Sequence, residues 1–384
     1  MISDPLSLIL LPTLRCNARC DYCFENRKES DLSLEQFSGI LDKVLEHMDE
    51  NGIAELNIHW QGGEVMTLSP EWFQRAHEII RRASEKRKKT VRNHIQSNMI
   101  GYSREWNPVL QEMFGNSVGT SLDFPNLHRK LPSGGLKAYD DLLLRNIRKA
   151  QEADIRLGVI AIPNEETFRI GARQFYHYFT EELGIFDFQV NTPFPGGFES
   201  GAKKKYPLDT DELTRFFIDL IEIWMREGYE KEIKVGPFDK LIEYFTEGNQ
   251  GLACIWRSNC ADEFFCVDPA GYISQCDCWA ASYPQFRFGN IFDCDNLPDM
   301  LKTSPARRHF LERPGVLVQQ EACRECRYLG LCHGGCPVRA YTVFGNFVTR
   351  DPYCETYKAV FKHMEAASSE LAMRRSRGNA PSAH

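Results

Sequence analysis

No part of the 384-residue sequence approaches the twenty or so consecutive apolar residues needed to cross a bilayer as a helix, so a helical membrane span is not expected. Positive charge is also short. The 46 Lys and Arg against 53 Asp and Glu leave a net charge of −7, which excludes the clustered cations that nucleic-acid phosphates require. The one basic run, "EKRKK" at 85–89, closes an amphipathic stretch, where cations complement a helix dipole. The opening "MISDPLSLILLP" has an acid where a secretory signal has its basic region, and it lacks a small-residue cleavage site. The expected location is therefore cytoplasmic, and no internal repeat is visible. Cysteine, by contrast, is abundant. Fourteen of them in a reducing compartment, in a chain long enough to fold without staples, point to metal binding or redox chemistry rather than to disulfides.

From residue 6 to about 195, six short β-rich runs alternate with amphipathic stretches. The runs are 6–14, 54–61, 91–98, 116–124, 155–163 and 185–193. Between the first two, Phe37, Ile40, Leu41, Val44, Leu45 and Met48 recur at three and four residues, and Ser33 with Gln36 forms a capping box. Repeated strand–helix units with right-handed crossovers make a parallel sheet covered by helices, here a partial (β/α)6 barrel of the TIM type over residues 1–196. Its ligand site belongs at the C-terminal ends of the strands. Residues 197–250 read as a helical connector, with a helix over about 210–226 after the Gly- and Lys-rich "GGFESGAKKKYP" at 196–207. Residues 251–370 form a cysteine-rich lobe with short elements, organised by metal more than by a large core, and residues 371–384 read as a flexible tail.

Three cysteines, Cys16, Cys20 and Cys23, follow the first strand as C-x3-C-x2-C. That places them at the barrel mouth. A tetrahedral structural site wants four protein ligands, so three suit either a zinc site completed from elsewhere or a [4Fe–4S] cubane with one iron left open. With "QGGEV" at 61–65 closing the second strand, the chain resembles the radical S-adenosylmethionine (SAM) enzymes, in which SAM occupies the open iron. The resemblance implies that Tyr22 lies against the adenine and that Gly62 and Gly63 admit the methionine amino group, with Glu64 accepting from it. It further implies polar SAM contacts from Gln96, Asn98 and Ser121, and backbone contacts around Asn191 and Pro193. Arg129 resembles an arginine that holds the SAM carboxylate in sulfatase-maturating members; a surface loop arginine is the other reading. His59, His94 and His128 lie near strand ends and are read as packing residues.

The later cysteines follow a second pattern. Cys323, Cys326, Cys332 and Cys336 run C-x2-C-x5-C-x3-C, with Cys354 beyond; Cys254, Cys260 and Cys276 lie upstream. This looks like the SPASM extension of radical SAM enzymes. The resemblance implies two auxiliary [4Fe–4S] clusters, one on Cys254, Cys260, Cys276 and Cys336 and the other on Cys323, Cys326, Cys332 and Cys354, so three clusters in all. A pair of structural zinc ribbons is the rival reading. Cys266, Cys278 and Cys294 are left over as spare thiols, with Cys278 an alternative ligand. Asp277 stands where sulfatase maturases place the base that takes a proton as the substrate radical is oxidised; a solvated turn residue is the alternative.

Two departures weaken a specific link to sulfatase maturation: Phe124 replaces the glycine of the family's Ser-Leu/Met-Asp-Gly-Pro, and "PVRAYTVFG" after Cys336 lacks a basic, cysteine-containing run. The expected function is a maturase that oxidatively modifies a peptide or protein residue by crosslinking or desaturation, served by an external one-electron reductant of the flavodoxin or ferredoxin type. Sulfatase maturation, radical chemistry on a sugar or nucleoside, and a non-catalytic electron carrier are the alternatives. Because the barrel begins almost at residue 1, a peptide is expected to be held by the barrel mouth, by the SPASM lobe and by the 196–250 segment with its Tyr206, Trp224, Tyr229, Phe238 and Tyr244.

Overall fold

The computed structural model describes residues 5–25, 27–194, 209–248, 251–258 and 260–378, with side chains through 373. The whole "GGFESGAKKKYP" run at 196–207, with Tyr206 in it, and the last six residues of the expected tail lie outside the described residues.

The barrel chain runs β1 (Leu6–Leu10), α1 (Leu34–Glu50), β2 (Glu55–Trp60), α2 (Pro70–Arg87), β3 (Thr90–Ser97), α3 (Asn107–Met113), β4 (Ser117–Ser121), α4 (Gly135–Gln151), β5 (Arg156–Ala161), α5 (Glu165–His177) and β6 (Asp187–Val190). All six expected strands are present and pair in parallel, in sequence order. In β2, Leu56, Ile58 and Trp60 are buried and alternate with less buried Asn57 and His59, as a strand covered by helices on one face requires. Helix α1 starts at the expected capping box, where Gln36 N donates to Ser33 Oγ at 3.1 Å and Ser33 N donates to Gln36 Oε1 at 2.9 Å. It buries Phe37, Ile40, Leu41, Val44, Leu45 and Met48. Phe37 meets Trp60, which in turn meets Trp72 and Phe73 of α2 edge-on.

The sheet extends past the six strands. The segment read as a helical connector holds α6 (Thr210–Glu227), β7 (Lys234–Gly236) and α7 (Phe238–Glu247), and β7 pairs in parallel with β6. Beyond them come α8 (Cys260–Glu263), β8 (Phe264–Val267), β9 (Tyr272–Ser274), α9 (Asp277–Ser282), β10 (Gly289–Asn290), α10 (Leu297–Thr303) and α11 (Pro305–Leu317). Four more helices follow: α12 (Glu321–Arg324), α13 (Leu329–Cys332), α14 (Pro337–Phe344) and α15 (Cys354–Gly378). Strand β8 pairs in parallel with β1, opposite Ser7 to Leu10, and β9 and β10 continue antiparallel. The result is one ten-stranded sheet in the order β10-β9-β8-β1-β2-β3-β4-β5-β6-β7. A strand of three or four residues inside a cysteine-dense stretch has too little periodicity to read from sequence. Helix α15 runs through residues 371–378, which the composition had assigned to the tail, and packs on α6 and α7. Trp224 and Phe238 are buried in that packing and offer nothing to a ligand.

Candidate iron–sulfur and SAM site

The loop after β1 is braced on three sides. Thr13 Oγ1 donates to Asp31 Oδ1 at 2.6 Å and Arg15 pairs with Asp31 at 2.7 Å, which closes the loop on itself. Behind it, Gly63 N donates to Thr13 O and Glu64 N to Arg15 O, at 3.0 and 2.7 Å. A Cβ on Gly63 would lie 2.2 Å from Arg15 O, and one on Gly62 would lie 2.5 Å from Thr13 O. The two glycines therefore seat the end of β2 against the cysteine loop's backbone. From the third side Arg19 N donates to Lys130 O and Asp21 N to His128 O, at 2.8 and 3.0 Å, so the segment after β4 straps the same loop.

Cys20 and Cys23 lie close enough to Cys16 to raise its pKa, and Cys20 does the same to Cys23. Burial is the main cause; it pushes Cys16 up to about 12 and Cys23 to about 11. Half-buried thiols whose pKa is raised in this way are poor thiolates alone and good ones against a metal cation. Around them, Glu64 is buried and accepts from Ser97 Oγ (2.6 Å), Asn98 N (2.6 Å) and Met66 N (2.8 Å), tying β2 to β3. Asn98 Nδ2 donates to Asn17 Oδ1 at 2.8 Å and lies 3.9 Å from Cys16 Sγ. Gln96 Nε2 donates to Ser121 Oγ at 3.1 Å, so this expected pair sits side by side on β3 and β4.

Arg129 is buried, not on the surface. Its Nε donates to Asp123 Oδ2 at 2.8 Å, the same oxygen that accepts from Tyr22 Oη at 2.5 Å, and its guanidinium lies 5.3 Å from the centre of the Tyr22 ring. Asn191 lies at the end of β6, where its N donates to Ala161 O at 2.9 Å. Pro193 O accepts from Tyr353 Oη at 2.7 Å, so it joins the barrel to the C-terminal lobe. His59 and His94 stack with ring centres 5.0 Å apart, and burial holds both below the usual imidazole range, as packing residues behave.

The remaining expected ligands gather into two groups. Cys323, Cys326, Cys332 and Cys354 line a single hollow with Arg350, Asp351 and Lys358. Cys254 and Cys260 line a second with Arg313, Gly335 and Pro337, and burial raises the pKa of both thiols, with Cys276 and Cys336 close enough to raise it further. Two thiolate tetrads in two hollows suit either iron–sulfur clusters or zinc. Cys278 lies beside the second group: its sulfur, that of Cys276 and a carboxylate oxygen of Asp277 all fall within 4.8 Å of one another. Cys266 is buried on β8 against Ile9, Leu11 and Ala280, and Cys294 donates to Ile291 O at 3.4 Å; both serve packing.

Asp277 starts α9 directly after Cys276. Burial raises its carboxyl's pKa above the usual carboxylate range, and Gln61 Nε2 donates to its Oδ2 at 2.9 Å. Gln61 closes β2, so this bond aims the acid at the barrel mouth. Several residues of the site had no signal of their own in the sequence. Glu25 has a buried Oε2 without a hydrogen-bond partner, and burial beside Asp277 and Asp268 pushes it up to about 8. Asp351 accepts from Cys336 N at 2.8 Å and pairs with buried Arg339 at 2.8 Å, and Arg339 also donates to Thr192 Oγ1 at the barrel rim. An acid or arginine 12 to 147 residues from its partner carries no local pattern.

The sequence profile of the radical SAM superfamily matches residues 10–169. The chain contains a radical SAM domain. The matched span covers the cysteine loop, the Gly-Gly-Glu turn and strands β2 to β5. The radical SAM chain is 26% identical over 371 residues to a cysteine-type anaerobic sulfatase-maturating enzyme of Clostridium perfringens, covering 94% of this chain and 96% of that one. It is 25% identical over 381 residues to an Fe-coproporphyrin III synthase of Methanosarcina barkeri, covering 92% and 88%. Among solved structures it superposes on native anSMEcpe with bound AdoMet and Cp18Cys peptide, with a TM-score of 0.81, 23% identity, and 96% and 99% of the two chains covered. The likeness extends past the profile's span, through the cysteine-rich lobe.

Proposed function

We propose that this radical SAM enzyme is a peptide or protein maturase, in which Cys16, Cys20 and Cys23 hold a [4Fe–4S] cluster that binds SAM and the two cysteine tetrads hold auxiliary clusters. The observation that carries the reading is the hydrogen bond by which Gln61, directly after β2, holds the Asp277 carboxylate beside the sulfurs of Cys276 and Cys278. When bound, such clusters supply an electron that splits SAM into methionine and a 5′-deoxyadenosyl radical, and a sink for the electron the substrate later gives up. The chain's own groups do the rest. Tyr22, Gly62, Gly63, Glu64, Gln96, Asn98, Ser121, Arg129, Asn191 and Pro193 form the proposed cradle for SAM at the strand ends. Asp277, held by Gln61, takes a proton from the substrate after its hydrogen atom has gone.

The proposed outcome is the loss of two hydrogens from a peptide side chain, as a crosslink or a desaturation. The sulfatase-maturing relative and the peptide bound to anSMEcpe support a peptide substrate; the coproporphyrin relative keeps a small-molecule substrate as the second reading. The deciding experiment incubates reduced, iron-reconstituted enzyme and SAM with the peptide encoded beside its gene and follows mass. A product lighter by two hydrogens supports the proposal. Turnover only with a tetrapyrrole, sugar or nucleoside moves the enzyme to the second reading.

A further inference from the structure

Arg313, near the end of α11, is buried, with 8% of its surface exposed. All four of its hydrogen bonds go to neutral backbone carbonyls: Nε to Phe347 O (2.7 Å), Nη2 to Gly334 O (3.0 Å) and Thr349 O (3.2 Å), and Nη1 to His333 O (3.3 Å). Among the described residues no carboxylate reaches it as an ion pair. The other buried arginines near the sites differ: Arg129 pairs with Asp123 and Arg339 with Asp351, each at 2.8 Å. Asp351, the acid nearest to Arg313, is therefore already neutralised.

A guanidinium taken out of water without a counter-charge costs several kcal/mol, and carbonyl dipoles offset only part of that. The groups that do face Arg313 are thiols. Arg313 lines the hollow that holds Cys254 and Cys260, and the Cys260 and Cys336 sulfurs are near enough that a thiolate there would be felt by its guanidinium. Cys254, Cys260 and Cys336 are three of the four residues of the Cys254–Cys260–Cys276–Cys336 tetrad assigned above to one auxiliary cluster, whereas Cys332 belongs to the other. Gly334 and Gly335, whose left-handed backbone turns the chain between Cys332 and Cys336, bring the carbonyls that grip Arg313 alongside the same ligands.

We propose that Arg313 is the fixed counter-charge of the Cys254–Cys260–Cys276–Cys336 site and sets the reduction potential of the cluster held there, an inference that rests on that tetrad binding iron. A thiolate-bound cluster gains a negative charge on reduction, so a fixed cation beside it favours the reduced form. Arg313 touches neither substrate nor SAM; it is a positioning residue whose effect is electrostatic. The two auxiliary sites then differ in kind. Arg350 and Lys358 at the other tetrad are partly exposed and screened by Glu355, whereas Arg313 is buried and unscreened.

The test measures iron per chain and the midpoint potential of each cluster, by redox titration followed by electron paramagnetic resonance, in the reconstituted full chain and in Arg313→Gln and Arg313→Lys. Arg313→Gln keeps donors for the carbonyls and loses the charge; Arg313→Lys keeps the charge and loses the fork. The expected result is that Arg313→Gln lowers one auxiliary cluster's reduction equilibrium at least tenfold, about 59 mV for a one-electron couple. The other two clusters should stay in place, and Arg313→Lys should stay within threefold of the parent. Unchanged potentials in an Arg313→Gln protein of full iron content overturn the proposal. Loss of iron from Arg313→Gln alone supports the charge role, whereas equal loss from both variants shows that the carbonyl clamp is the whole function and overturns it. A parent protein with only about four irons per chain fails the tetrad assignment itself, a separate outcome.

Discussion

Tyr22 Oη lies 2.5 Å from Asp123 Oδ2, and that one carboxylate also takes Arg129 Nε at 2.8 Å and, through Oδ1, Ile162 N at 3.0 Å. A residue between two cysteines of the triad is thereby locked to the ends of β4 and β5. Asp123→Asn leaves the Arg129 guanidinium buried and unpaired. The expected cost is about 3–5 kcal/mol of stability, read from denaturant unfolding. Iron at the first site should fall with it, and Asp123→Asn combined with Arg129→Met should recover part of the loss. A singly substituted protein as stable as the parent would refute the lock.

Replacing Cys16, Cys20 and Cys23 together by alanine should abolish formation of 5′-deoxyadenosine and leave about two thirds of the iron, since the tetrads lie on other elements. Metal analysis and product chromatography check both halves. Zinc in place of iron after anaerobic purification would overturn the auxiliary-cluster assignment.

Asp277→Asn should keep reductive cleavage of SAM and lose the modified product. Gln61→Ala, which removes the hydrogen bond that aims Asp277, should lower product yield by roughly tenfold or more with SAM cleavage intact. Equal loss of both activities would assign Asp277 to folding instead.

His47 is buried in the last turn of α1, and burial, aided by nearby Arg307, lowers its pKa to about 4. The unfolded chain, with an ordinary histidine near 6.5, takes up the proton first as pH falls, so the stabilisation held above pH 6.5 is lost on the way down to pH 4. Between pH 7 and pH 5 this one group accounts for about 2 kcal/mol. In urea unfolding, His47→Gln should lose that much less than the parent over the same interval.

The barrel was legible in the sequence wherever one residue type repeats with a period. The capping box at Ser33, the six apolar strands and the cysteine spacings all fall within twenty residues of themselves. Strands β7 and β8 escaped because three or four residues have no period, and β8 is further disguised by the cysteines around it. The expected cradle was named from motif positions; Gly62 to Glu64, Gln96, Asn98, Ser121 and Asn191 lie at the ends of β2, β3, β4 and β6, and Tyr22 and Arg129 lie in the loops after β1 and β4. The charge partners that decide what each can do, Asp123 for Arg129 and Gln61 for Asp277, depend on the closed barrel. Arg313 had no signal, because its partners are backbone carbonyls.

Strand β1 is five residues long, four apolar with Ser7 between them, all buried, with β2 on one side and β8 on the other. The cysteine-rich lobe therefore plugs the open flank of the barrel. If the chain were cut near residue 250, Leu6 to Leu10 would become a bare edge whose unpaired amides and carbonyls invite another copy to dock. A truncated barrel is accordingly expected to precipitate rather than behave as a smaller enzyme, and the two lobes should melt in one transition. Loss of iron from the distal half would then be felt as unfolding in the proximal one.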